Sequence, residues 1–149
     1  MKKDDLKQKL SELTEHPLEE LGETNFFQSD PGVLFSKDGI VLGINLTALN
    51  LTDDRLSTIV LSMSDVLDGI QYLDLSRNQL EKPVVIALLA NLQKINLSLN
   101  KIENIEFLNK LGKLSHVNLR CNQITQVPKF VFDTQLEVCL LYTSDAADE

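Results

Sequence analysis

Tryptophan is absent from this chain, tyrosine occurs twice and phenylalanine six times, so aromatic residues make up only 5% of it. With so few rings the core must be aliphatic, and leucine and isoleucine have to do the packing. Cysteine is equally scarce, with Cys121 and Cys139 alone. That is too few for a disulfide-built scaffold and fits a reducing compartment. The two histidines, His16 and His116, fall in different elements, and no HExxH, CxxC, GxSxG or glycine-rich phosphate loop occurs. Chemistry of those kinds needs nucleophile, base or ligands at fixed spacing, so no catalytic residue, metal ligand or cofactor is assigned and no enzyme activity is expected.

Positive charge is also in short supply. Lys and Arg number 14 against 22 Asp and Glu, for a net charge of −8, and no basic stripe is present to bind nucleic acid. No apolar run approaches the roughly 18 residues of a membrane span, and the leading MKKDDLKQKL lacks the apolar stretch of a secretion signal, so a cytoplasmic location is expected.

What the sequence does have is periodicity. Between 102 and 127 an apolar residue returns every third position, at Ile102, Ile105, Leu108, Leu111, Leu114 and Val117, and Leu119, Asn122, Ile124 and Val127 follow. The segment closes on LxxLxLxxNxL. Neither the alternating three and four of an amphipathic helix nor the two of a half-buried strand fits. A period of three suits a coil turning in flat steps, with one short strand per coil and 3₁₀-like turns elsewhere. Earlier copies run through Leu92, Ile95, Leu97, Asn100 and Ile102, and through Ile70, Leu73, Leu75, Asn78 and Leu80. Ile86 and Leu89 carry the rule between them.

On these residues the chain resembles the leucine-rich repeat family, over roughly residues 41 to 138. The resemblance implies an α/β solenoid with a parallel concave β-sheet and short convex helices or 3₁₀ turns. Asn78, Asn100 and Asn122 stand where each strand ends and the chain turns inward, so their amides are expected to form a ladder on the backbone groups that the turn leaves unpaired. The role read for them is structural.

Taken in order, residues 1 to about 16 read as a helix with Leu6, Leu10 and Leu13 on one face, Asp4 and Asp5 near its start and Pro17 as its stop. It is expected to lie against the first repeat or remain loosely attached. Leu18 to Gly32 is acidic and irregular, so residues 1–32 form a leading segment of helix and linker. Val33-Leu34-Phe35 and Ile40-Val41-Leu42 flank an Asp38-Gly39 turn, predicting a β-hairpin that caps the repeat domain of residues 33–138. The first repeat admits two registers. Starting at Val41, Ile44 and Leu46 form the strand, Leu49 replaces the asparagine and weakens the first rung, and a convex helix capped by Asp53 or Asp54 runs from about Asp54 to Met63. Starting at Leu46, Leu49 and Leu51 form the strand. The first is favoured for its room for the helix.

Residues 139–149 lack the pattern and resemble a translated sequencing adapter, so they are expected to be foreign, and without Asp145, Asp148 and Glu149 the charge moves from −8 to −5. Leu114 plus 22 is Leu136, which reads as the opening of another repeat.

Function then falls to the surface. Residues between the buried leucines should point to the concave side and stack in columns about 4.8 Å apart. Gly43, Tyr72, Lys94 and His116 form one column. Asn45, Asp74, Asn96 and Asn118 form the next, followed by Thr47, Ser76, Ser98 and Arg120, then Ala48, Arg77, Leu99 and Cys121. Cys121 reads as a half-buried spacer. The three glycosylation sequons at Asn45, Asn50 and Asn96 read as by-products of the repeat. Tyr72, Arg77, Lys94, Asn96, His116, Asn118 and Arg120 are the expected partner-binding residues, for a protein or peptide and not for nucleic acid, membrane or a small-molecule substrate. Resemblance also permits a second reading, a sensing fragment of a larger enzyme such as a Ras-like GTPase or a ubiquitin-ligase effector.

Overall fold

Burying an aliphatic side chain at every third position forces the backbone to turn after each short extended run, and the resulting strands stack edge to edge. The computed structural model of the chain describes residues 1–126 and the strand Glu137–Cys139. Seven strands pair in sequence order: β1 (Glu19–Glu20), β2 (Gly32–Phe35), β3 (Val41–Asn45), β4 (Tyr72–Asp74), β5 (Lys94–Asn96), β6 (His116–Asn118) and β7 (Glu137–Cys139). From β3 onward all neighbours are parallel. Ile44, Leu73, Ile95 and Val117 are directly paired, as are Gly43, Tyr72, Lys94 and His116. The pairs Tyr72–Lys94 and Lys94–His116 each step 22 residues (94 − 72 and 116 − 94). Gly43–Tyr72 steps 29 (72 − 43), so the first repeat starts at Val41. The step into β7 is one residue shorter than expected, because Val117 pairs with Val138 (138 − 117 = 21). The connecting segment lies outside the described residues, as does the expected tail except for Cys139.

The inward side chains form one continuous core. Ile44, Leu46, Leu51, Leu75, Leu80, Leu97 and Ile102 are all at most 1% exposed, and each contributes roughly 1.5–3 kcal/mol of burial free energy. Their backbone groups bond to the next coil, as Leu75 N–H does to Asn96 O at 2.8 Å and Leu97 N–H to Asn118 O at 2.8 Å. On the convex side the extra residues of the first repeat form helix α2 (Asp53–Ser62), labelled here with α1 (Lys3–Thr14) in chain order, while later repeats use 3₁₀ turns at Val84–Leu88 and Glu106–Lys110. The cap of α2 is Thr52, not Asp53 or Asp54: its Oγ accepts from Arg55 N–H at 3.4 Å. Asp53 instead accepts from the Glu81 and Lys82 N–H groups at 3.2 and 2.9 Å, tying the helix start to the next repeat.

Helix α1 is shorter than the stretch expected and is docked. Leu6 and Leu10 are buried in the same core as the repeats, Lys9 donates to the Ser62 carbonyl at 2.6 Å, and Arg55 donates to the Leu13 carbonyl at 3.4 Å. The helix stops because Glu15 turns left-handed, φ 55°, two residues before Pro17. Strands β2 and β3 form the expected antiparallel hairpin about Gly39, whose φ of +80° suits glycine. The stretch read as an irregular linker contributes β1, parallel to β2, and a 3₁₀ turn at Phe26–Gln28, with Leu18 and Phe26 buried.

Candidate functional site

Each ladder asparagine joins two successive coils. Asn100 Nδ2 donates to Leu75 O in the previous coil at 2.9 Å and to Leu97 O and Ser98 O in its own, while its Oδ1 accepts from Leu80 N–H at 3.0 Å. Asn122 repeats this on Leu97, Leu119, Arg120 and Ile102. Asn78 accepts from two amides, Leu49 N–H at 3.1 Å and Leu51 N–H at 2.9 Å, and donates to Leu46, Leu75 and Ser76. Two amides of the turn that Leu49 closes without an asparagine of its own are therefore satisfied from the next coil.

Immediately before each ladder position the backbone is left-handed: Ala48, Arg77, Leu99 and Cys121 have φ between 56° and 59°. A non-glycine residue there costs about 1–2 kcal/mol, which the bonded turn beside it offsets. This conformation turns the side chain out of the coil, which leaves Arg77 exposed, makes Leu99 46% exposed despite being apolar, and exposes Cys121 rather than half-burying it.

The second concave column departs from expectation in a different way. Asn45 is fully buried and Asp74 is 2% exposed. These side chains fold back onto their own turns: Asn45 Oδ1 accepts from Thr47 N–H, Asp74 Oδ1 from Ser76 N–H and Oγ–H, Asn96 Oδ1 from Ser98 N–H and Oγ–H, and Asn118 Oδ1 from Arg120 N–H, at 2.7–3.1 Å. Asn96 and Asn118 are half-buried and line the trough, where Asp74 contributes only a 2%-exposed edge. Burial raises the Asp74 carboxyl above its ordinary value, against hydrogen bonds from Ser76 and Asn96 and the charge of Arg77.

Asn45 is buried because the leading segment crosses the concave face. Its Nδ2 donates to Phe26 O at 2.9 Å and Ser29 O at 3.2 Å, which also leaves no free amide at that sequon. Phe26, Phe27 and Tyr72 form an aromatic cluster, with Phe26 and Phe27 edge to face at 4.8 Å and Tyr72 at 6.0 and 6.5 Å from them. Gly43 makes room for it: a Cβ there would lie 2.8 Å from Phe26 Cε2. Tyr72 is thus the seat of this strap and only half-exposed.

Beyond the strap lie two adjoining hollows, both lined by Phe27 and Asn96. One, of about 210 Å³, adds Lys94, His116 and Asn118. The other, of about 500 Å³, adds Ser76, Arg77, Ser98 and Leu99 opposite Ser29, Asp30 and Pro31. The structure thus brings Lys94, Asn96, His116 and Asn118 together in one hollow and places Arg77 in the other. Arg120 is exposed just past β6. Phe27 escaped the sequence reading. Its one signal was the Phe26-Phe27 pair in an aromatic-poor chain.

The parallel sheet, the 22-residue step and the asparagine ladder define a leucine-rich repeat protein in fold. A family model described as Leucine Rich repeats (2 copies) matches residues 90–131. Among solved structures, the chain is similar to an internalin from Listeria monocytogenes, with TM-score 0.56 and 24% identity over 88% of this chain and 36% of that one. The chain therefore spans about a third of that protein's length. Comparison with curated proteins finds no match.

Proposed function

We propose that this chain is a protein-interaction scaffold whose partner, a protein or peptide with an acidic component, docks in the concave trough across β4, β5 and β6. The observation that carries this reading is the sign of the charge there. Arg77 and Lys94, from successive repeats, line the trough's two hollows and Arg120 is exposed just past the next strand, whereas of the acids lining it Asp74 is buried and bonded within its own turn and Asp30 stands on the strap opposite Arg77. The chain as a whole carries −8, so an acidic partner is repelled elsewhere and steered to this side.

The test is to select binders from a displayed random peptide library against the chain. The best binder is then measured against Lys94→Ala/Arg120→Ala and against the convex pair Lys110→Ala/Lys113→Ala. An anchor is worth about 2 kcal/mol, roughly thirtyfold in affinity, so the concave pair should weaken binding by at least that factor and the convex pair by almost nothing. The opposite ranking places the partner on the wrong side of the solenoid.

A further inference from the structure

The trough is not made by the repeats alone. We infer that the strap is part of the binding site, with Phe27 as the wall against which a partner's apolar side chain packs while acidic residues flanking it in an extended segment meet Lys94 and Arg77. This rests on the concave reading above and adds to it both a residue outside the repeats and a second chemical requirement on the partner.

Phe26 and Phe27 are neighbours with different tasks. Phe26 is 2% exposed over Gly43 and holds the strap down. Phe27 is half-buried and lines both hollows, so one edge of its ring rests on the cluster and the rest faces the trough. The hollow between Phe27 and Lys94 measures about 210 Å³. It has room for one large side chain. Charge supplies the flanks: Lys94 lines this hollow and Arg77 the adjoining one, on opposite sides of Asn96. An extended peptide places alternate side chains on the same face about 7 Å apart, which suits an acid–apolar–acid alternation read by Arg77, Phe27 and Lys94. Arg and aromatic residues are also the types that dominate binding energy at interfaces.

The experiment uses the intact chain and the 12-residue random peptide library displayed on phage, with affinities of synthesised winners measured by fluorescence polarisation. Selected peptides should combine Asp or Glu with a recurrent large apolar residue. Phe27→Ala should weaken them roughly tenfold or more, Phe27→Leu should retain most of the affinity, and Thr24→Ala, exposed on the segment leading into the strap and outside both hollows, should change little. Far-UV circular dichroism confirms that each variant is folded, and the leucine variant keeps the test informative if alanine loosens the strap. Peptides that lose affinity with Lys94→Ala/Arg120→Ala but not with Phe27→Ala overturn the role of the strap and leave the concave reading standing. Binding indifferent to both sets of changes, or no enrichment above an unrelated protein of equal charge, overturns both.

Discussion

Replacing Asn78 with alanine should damage this fold more than the same change at either other rung of the ladder. Asn78 is 3% exposed, and its Oδ1 is the acceptor for two main-chain amides, Leu49 N–H and Leu51 N–H, both on buried residues. Alanine leaves both donors without their partner, and each orphaned buried amide costs about 1–3 kcal/mol, so the loss is about 2–6 kcal/mol. Asn100 and Asn122 each accept from a single amide, of Leu80 and Ile102, so their acceptor losses come to about 1–3 kcal/mol. All three asparagines donate to three carbonyls, so the donor losses cancel in the comparison. Domains are commonly stable by only about 5–15 kcal/mol, which puts Asn78→Ala near the limit of folding. Urea titration followed by far-UV circular dichroism gives the ranking, with Asn109→Ala on the convex side, where the asparagine is exposed, as the control near zero. Asn78→Asp should be no better than alanine, because it keeps the acceptor but turns a second oxygen towards the carbonyls of Leu46, Leu75 and Ser76. A cost at Asn78 below 1 kcal/mol, or one smaller than at Asn100, would refute the account of the ladder.

Gly43→Ala should lift the strap, since the new Cβ would lie 2.8 Å from Phe26 Cε2 and 3.1 Å from Tyr72 Cβ; the expected cost is about 1–3 kcal/mol, with faster hydrogen exchange confined to the 26–31 region, and unchanged exchange there would argue against the seat. Leu10→Ala, at a fully buried site, should cost about 2–5 kcal/mol if α1 is part of the folded unit, and a loss no larger than that of half-buried Leu13 would mean the helix is detachable. Burial raises the Asp74 carboxyl above its ordinary 3.8, so the folded chain holds that proton more tightly than the unfolded one, and this contribution is present below pH 3.8 and lost as the pH rises through the folded value. Asp74→Asn removes the dependence, so the stability of the variant relative to the natural residue should rise between about pH 3 and pH 7; a relative stability that falls over that range contradicts the sign.

The repeats were legible because their signal is local. Each strand, turn and rung is built from side chains within a few residues, and copies at a fixed step make the register of β4, β5 and β6 readable from Leu73, Ile95 and Val117 alone. The hairpin followed from Asp38-Gly39 between two apolar runs, and the 29-residue first repeat from the helical spacing of Leu56, Ile59 and Met63. Two kinds of feature stayed hidden. Alternation along a strand says which side of the sheet a residue occupies but not whether that side is covered, so it puts Asn45 and Asp74 alike on an open face, whereas the strap closes over Asn45 and Asp74 folds onto Ser76. Left-handed backbone at Ala48, Arg77, Leu99 and Cys121 leaves no mark on residue type, since none of these is glycine or asparagine, and so the repeat pattern overstates the burial of Cys121.

The strap brings both failures together, and its illegibility has a physical cause. Asn45 reaches back 19 residues to Phe26 and 16 to Ser29, contacts that no periodic pattern can announce. The residues that answer each other across that gap are individually ordinary: a glycine in a strand, an asparagine inside a sequon, two adjacent phenylalanines in an acidic stretch. They become informative only in combination, because Gly43 has no side chain where Phe26 must lie and Asn45 has two donors where a strap leaves carbonyls in need of them. Once the strap is seated, the first strand of the concave face is consumed by the chain itself. The usable surface begins at Phe27, and the expected anchor Tyr72 becomes part of the support beneath it.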